Sequence, residues 1–356
     1  MRWKSRTRLT PIGLDMGTRC LRAVQLCREA GGGRIVAAAE LPLEGERVGA
    51  DRLPGDLART LKHHGFVGRS VVAAVAAERL LSGVLELPPA GTDAPREQIA
   101  RTELAAMHKQ DPASMELTCW AMPASGRNAE ATRAMAVACP HDAADETLDA
   151  IEAAGLMPVA LDAEPAALAR MALRDEESGH AVSALLQLGQ TACLLVVAAD
   201  QTVIYERRLT DFGLTTLRSR LAESLGLEES LVPPLLYGVG LSEGPPAQPL
   251  DPVVLGDIRA AIADHYRELI REATISVSYA RHQCPESERT RVLLSGAGAR
   301  IPGLDRQMAQ WINAETRIVT PGGRFESPAS LSKAAGDPAM TLAAGLALWE
   351  AEVGHG

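Results

Sequence analysis

"IGLDMGTRCLRAVQL" occupies residues 12–26, and "LQLGQTACLLVVA" occupies residues 186–198. Laid over Leu14 to Leu26, the second piece matches in leucine, glycine and one valine, and its apolar flanks need no gap. Each reads as strand, glycine turn, strand, and each opens one half of the chain. Duplication accounts for the matching positions and predicts an α/β protein of two lobes, each presenting one hairpin turn to a shared cleft. An aspartate inside the first apolar run is the other anomaly. A buried acid costs free energy unless it is paired or meets a ligand, so Asp15 is a candidate functional residue.

The bulk numbers narrow the classes. A chain of 356 residues, 46% apolar, holds a sizeable core, but aromatics make up 3%, so alanine, leucine and valine carry the packing. The net charge of −9 supplies no basic field for nucleic acid. Six cysteines (Cys20, Cys27, Cys119, Cys139, Cys193 and Cys284) include no C-x-x-C pair, which predicts reduced thiols and a cytosolic compartment. The leader "MRWKSRTRLT" is basic without a following apolar stretch, and reads as a disordered start rather than a secretory signal. Its charges at Arg2, Lys4, Arg6 and Arg8 allow weak attraction to anionic lipid. No run approaches the roughly 20 apolar residues of a membrane span.

Along the chain, hairpin strands are followed by a "GGG" turn, a strand over "RIVAAAELPL" and a helix near 53–64. Strand material at 70–88 leads into a segment of different character, about 90–140. There the helix "PREQIARTELAAMHKQ" precedes two strands around a polar loop at 125–132, the pattern of a small α+β insert. The helix "DAADETLDAIEAAGL" ends at Gly155, and "PVALDAEPAALARMAL" reads as strand then helix. The second half repeats the strands, then gives a Pro/Gly-rich loop at 238–252, a long helix over 257–281, strand–turn–helix at 289–312 and a final helix over 338–353.

Glycine turns let backbone amides approach a phosphate closely. The first turn offers Gly17, Thr18, Arg19 and Cys20, the second Gly189, Gln190 and Thr191. Asp15 is placed to hold waters around Mg²⁺, an ion that takes few carboxylates directly. "LLSGAGARIPGL" at 293–304 adds a helix start able to meet a phosphate or ribose. Neither a P-loop nor a dinucleotide-binding G-x-G-x-x-G is present. His63–His64 reads as a solvated pair, and "SGH" at 178–180 has no triad partner.

In this order the pieces resemble the actin-like ATPase superfamily, and within it the PilM family of type IV pilus assembly proteins. Four segments carry the resemblance: "IGLDMGTRCLRAVQL", "AAGLMPVALDAEPAALARM", "LLQLGQTACLLVVAADQTVIYERRL" and "VLLSGAGARIPGL", with "DPAMTLAAGLAL" at the end. It implies a two-lobed, ribonuclease H-like α/β fold. The expected divisions are a leader 1–8, a first lobe over 9–82 and 151–182, an insert over 83–150, a second lobe over 183–337 and a helix at 338–356 returning to the first lobe. It implies ATP or ADP, with Mg²⁺, bound by Asp15, Gly17, Thr18, Arg19, Cys20, Arg22, Gly189, Gln190, Thr191, Gly213, Gly296, Ala297 and Gly298. It implies a cytoplasmic protein, peripheral to the inner membrane, that binds the N-terminal tail of a PilN-like membrane protein. Other pilus or secretion platform components are further expected partners, with self-association also allowed.

Departures from the family pattern bear on turnover. Gln187 stands where the second hairpin usually has an aspartate, and an amide reaches a metal through water without bringing charge. Arg22 replaces a lysine, Leu214 stands where an acid is common, and Ala297 replaces the second glycine of the adenosine motif. Glu164, before Pro165, either orients an attacking water or is an acid favourably placed at a helix start. The leading expectation is a nucleotide-binding scaffold, at most a weak ATPase. The alternatives are an active Mg-ATPase, a small-molecule kinase, for which no general-base aspartate is found, and a nucleotide-free structural homologue.

Overall fold

The computed structural model describes residues 8–29, 32–43, 53–89, 94–123, 132–173, 181–242, 244, 249–282 and 289–350. The leader before Arg8, Gly31, most of the polar loop near 125–132, "SGH" at 178–180 and Cys284 lie outside them.

The first half gives β1 (Arg8–Leu9), β2 (Ile12–Met16), β3 (Cys20–Glu29), β4 (Gly32–Pro42), α1 (Leu57–His63) and β5 (Ser70–Val75). Next come β6 (Leu81–Leu87), α2 (Arg96–His108), β7 (Met115–Ala121), β8 (Thr132–Pro140), α3 (His141–Ala153), β9 (Met157–Ala163) and α4 (Glu164–Ala172). The second half gives β10 (Ala181–Leu188), β11 (Cys193–Ala199), β12 (Thr202–Leu209), α5 (Leu214–Leu225), α6 (Val232–Val239) and α7 (Pro252–His282). It closes with β13 (Arg289–Ser295), α8 (Leu304–Ile312), β14 (Glu315–Ile318), α9 (Ser332–Ala335) and α10 (Thr341–Ala347).

The internal repeat survives in three dimensions. One sheet runs β4–β3–β2–β5–β9 and the other β12–β11–β10–β13–β14. In both, the first three strands are antiparallel neighbours and the last two join in parallel. Register agrees as well. Asp15 lies opposite Arg22 and Met16 opposite Leu21, as Gln187 lies opposite Leu194 and Leu188 opposite Cys193. Two sheets of one topology, each covered by helices, are what a duplicated sequence of buried strands rich in alanine, leucine and valine builds.

The boundaries differ from the sequence expectation in places. The insert is the three-stranded sheet β6–β8–β7 with α2, so it begins at Leu81. Helix α3 belongs to the first lobe instead, because Ala150 and Ile151 are buried in that lobe's core with Val71 and Leu57. The return to the first lobe begins before 338: the Ile35 amide donates to the Glu326 carbonyl at 2.8 Å, and Ala335 packs with Val24 and Ile35. Helix α10 is also shorter than its apolar pattern suggested, ending at Ala347. The insert leans on the second lobe. The Trp120 indole donates to the Val203 carbonyl at 2.7 Å, and Met122, Met135 and Val137 join that lobe's core.

A buried histidine sets one pH response. His265 on α7 is 1% exposed, its ring edge-on to Phe212 and Tyr266 at 5.8 and 5.1 Å. Burial, reinforced by Arg220, pushes its pKa down to about 4. The unfolded chain takes up a proton below about 6.5 and the folded one does not, so stability falls as pH drops between those values. Wild type is expected to lose about 3 kcal/mol more than His265→Leu across that window. Urea midpoints at pH 7 and pH 4.5 measure the difference, and parallel loss in both proteins contradicts it.

Candidate functional site

The hairpin turns β2–β3 and β10–β11 meet across the cleft between the lobes. The reason both carry glycine at their first position is the same. A Cβ on Gly17 would stand 2.7 Å from the Cys20 carbonyl oxygen, and one on Gly189 would stand 2.8 Å from that of Ala192. The Gly189 amide donates to the Ala192 carbonyl at 3.0 Å. Both turns line a cavity of about 120 Å³, together with Asp15, Arg22, Glu78, Glu164, Gln187 and Arg208. That volume suits a phosphate group and its waters, and is smaller than the roughly 300–1,000 Å³ of pockets that enclose whole ligands.

Two arginines bracket the second turn. Arg208 on β12 donates to the Thr191 hydroxyl at 3.1 Å and pairs with Glu78 at 2.9 Å, so it ties the second turn to the first lobe. Arg218 on α5 donates to the Gln190 side-chain oxygen at 2.7 Å. Burial and the charge of Arg19 lower the pKa of Arg218, the mark of a cation short of compensating anions.

Arg22 is buried on β3 and reaches Asp15 at 3.4 Å and Glu40 at 2.8 Å. Burial opposes its charge, but Asp15 and Glu40 outweigh that and raise its pKa. Glu40 also pairs with Arg300 of the second lobe at 2.6 Å, and Arg300 pairs with Asp337. A chain of alternating charges therefore runs from Asp15 across the lobe boundary to the segment preceding α10.

Glu164 opens α4 in the same cleft. Its place at a helix N-terminus favours the charged form. Burial overrides this, aided by Asp15, and pushes its pKa up to about 8; Arg208 opposes the shift. At neutral pH this carboxyl holds its proton and can donate a hydrogen bond rather than act as a base.

The structure separates the predicted residues into groups. Asp15, Gly17, Thr18, Arg22, Glu164, Gln187, Gly189, Gln190 and Thr191 come together at the cleft. Arg19 is exposed beyond it, and Cys20 is half-buried with its thiol pKa raised, mainly by burial. Gly213 lies behind the second turn, where a Cβ would stand 2.4 Å from the Thr191 carbonyl carbon. Gly296, Ala297 and Gly298 are buried against Leu188 at the end of β10. They shape the turn from behind instead of lining the cavity. Gln187 is also engaged differently from expectation. Its side-chain oxygen accepts from the Ser295 hydroxyl at 2.5 Å, leaving the amide NH₂, a donor suited to an anion, as the group it offers. Sequence reading missed Glu78 and Arg208. The alternation of "YERRL" was the one signal for Arg208, since it sets Glu206 and Arg208 on one face of β12 and Tyr205 and Arg207 on the other; Glu78 had none. Among the described residues no group of three or more His, Cys, Asp or Glu is arranged to hold a metal ion.

Two repeated lobes, each delivering a glycine turn to one cleft, define a protein of actin-like ATPase fold. The sequence model of the family described as "Type IV pilus assembly protein PilM" matches residues 13–230, and the chain belongs to that family. No curated protein sequence matches significantly. Among solved structures, the "PilM-PilN type IV pilus biogenesis complex" is 22% identical, with a TM-score of 0.73 over 95% of this chain and 98% of that one. The ethanolamine utilization protein EutJ from Carboxydothermus hydrogenoformans is 14% identical, with a TM-score of 0.50 over 97% of this chain and 91% of its own. MreB 5 of Spiroplasma citri bound to AMPPNP is 11% identical, with a TM-score of 0.50 over 96% and 95%.

Proposed function

We propose that this protein is a cytoplasmic, nucleotide-binding scaffold of a type IV pilus or related secretion machine, docking the N-terminal tail of a PilN-like inner-membrane protein. The observation that carries the reading is the matched pair of glycine turns lining one cleft, the second of them held by Arg208 and Arg218. Membership of the PilM family, likeness to a PilM–PilN complex and likeness to an AMPPNP-bound protein of the same fold support it. No helix among the described residues is long and apolar enough to cross a membrane, which suits attachment through a partner.

In this reading the phosphates of ATP or ADP lie between the turns, with Arg208 and the Gln187 amide as donors. Mg²⁺ would spread phosphate charge, held through water by Asp15 in keeping with its preference for few protein ligands. A whole nucleotide exceeds the present cavity, so entry separates the lobes and breaks the Arg208–Glu78 and Glu40–Arg300 pairs. Nucleotide occupancy thereby sets lobe closure. In the ligand-free cleft Glu164 holds its proton and Gln187 brings no charge, which favours a scaffold over a fast ATPase. Turnover comparable to a dedicated Mg-ATPase would favour that second reading.

For the tail we assign the groove where the insert, α4 and the β11–β12 turn converge. It encloses about 410 Å³ and is lined by Trp120, Ala121, Ala166, Leu173 and Thr202. Fluorescence anisotropy with a labelled peptide from the tail of the PilN-like partner tests it. Saturable binding, weakened at least about tenfold by Ala166→Trp with its bulk in the groove, is expected. No binding to the wild type, or equal binding to the variant, overturns the assignment.

A further inference from the structure

A third cavity lies at the other end of the first lobe's sheet, away from the nucleotide cleft. It encloses about 710 Å³ and is lined by Arg8, Leu9, Arg28, Val67, Val159 and Trp349, among others. Ser70, the first residue of β5, borders it, whereas Ala74 and Ala76 near the other end of that strand border the cleft. Exposed apolar side chains surround it: Val67 is 59% exposed, Met157 53%, Leu9 42% and Val159 41%.

The Val67 loop is held firmly. Gln25, buried on β3, donates to the Val67 carbonyl and accepts from its amide, both at 2.9 Å. The apolar tip is thus a built feature of the surface. Beside it lies a neighbouring hollow lined by Arg59, Lys62 and Arg69. Those three side chains are exposed, with Asp56 and Glu152 the nearby exposed acids. Arg28 is answered by Glu350, yet burial and Arg8 still lower its pKa. In a chain of net charge −9, this pole gathers the exposed cations Arg8, Arg59, Lys62 and Arg69.

We propose that this pole docks on an anionic lipid bilayer. Exposed aliphatic side chains enter the interface, Trp349 sits at headgroup level as indoles prefer, and the surrounding cations meet lipid phosphates. An acidic peptide would satisfy the charges but not the scattered apolar rim, which a flat interface covers at once. Such a contact adds a direct attachment to the one made through a membrane partner, and it does not depend on nucleotide or tail binding.

Flotation of the full chain with phosphatidylcholine vesicles, with or without about 30 mol% phosphatidylglycerol, tests the proposal. Binding to the anionic vesicles should exceed binding to neutral ones at least about tenfold and vanish near 0.5 M salt. The variant Arg59→Glu/Lys62→Glu/Arg69→Glu should lose that binding at least about tenfold while its unfolding midpoint stays at the wild-type value, since these side chains are exposed. Equal binding to both vesicle types overturns the proposal. So does absence of binding, which would leave an acidic peptide as the fitting ligand, and so does binding that survives the triple variant but is lost when Arg2, Lys4 and Arg6 become glutamine.

Discussion

Gly345→Val is expected to remove about 3–5 kcal/mol of folding stability, enough to unfold much of the population. Helix α10 packs on β2, β3 and β5 and on α4, and its Leu342 and Leu346 join a core shared with β10, β11 and β13 of the second lobe. Its approach to α4 is so close that a Cβ on residue 345 would stand 2.1 Å from the Ala167 carbonyl oxygen. On the opposite side, a Cβ on Gly13 would stand 2.0 Å from the carbonyl oxygen of Ala343. Backbone meets backbone at both contacts, so no side-chain rotation relieves the overlap. Arg170 pins the same region by donating to the Gly345 carbonyl at 2.6 Å. Gly55→Ala is the control, because nothing lies within 4 Å of its Cβ position. Urea unfolding of both variants reads the result; a Gly345→Val protein with a wild-type midpoint contradicts the packing described.

Glu164→Gln is expected to act in the opposite direction and stabilise the ligand-free protein by about 2–3 kcal/mol at pH 7. The wild-type carboxyl titrates near 4.5 when unfolded and at about 8 when folded. Between those values the folded state holds the extra proton, so wild-type stability falls as pH rises from 4.5 to 8. The amide has no such dependence, and the difference between the proteins should widen over that range and level off above it. Partial exposure of the side chain keeps the effect below the full linkage value. Chemical denaturation at pH 5, 7 and 8.5 measures it. A constant difference across these pH values would mean that Glu164 is ionised throughout, and that ground for a scaffold over a fast ATPase would fall with it.

The duplicated hairpins were legible because their signal is local. A buried strand, an acid or amide, a glycine and a second strand recur in the same register, and the register held when folded. Asp15 could be singled out since a lone acid in an apolar run demands a partner, and Arg22 across the strand pair supplies one. What sequence did not disclose depends on contacts between distant elements. Arg208 meets Glu78 only because the lobes face each other, and α3 joins the first lobe because Ile151 is buried in one cluster with Leu57 and Val71. The glycines at 296 and 298 carry a motif associated with adenosine, and they also let the chain pass close behind Leu188. Close backbone approach and ligand approach select the same residue, so the pattern could not separate them. Helix α10 was overextended because its apolar run continues through Trp349, whereas the helix stops at Ala347.

The most direct measurement is calorimetric titration of ATP and ADP into the intact protein, with and without Mg²⁺, alongside Asp15→Ala and Arg208→Ala. The account predicts binding of about micromolar affinity. It predicts that Asp15→Ala abolishes the gain from Mg²⁺, and that Arg208→Ala weakens nucleotide about tenfold or more whether or not the metal is present. Absence of heat at millimolar nucleotide, or binding indifferent to both substitutions, would contradict the phosphate clamp between the two turns.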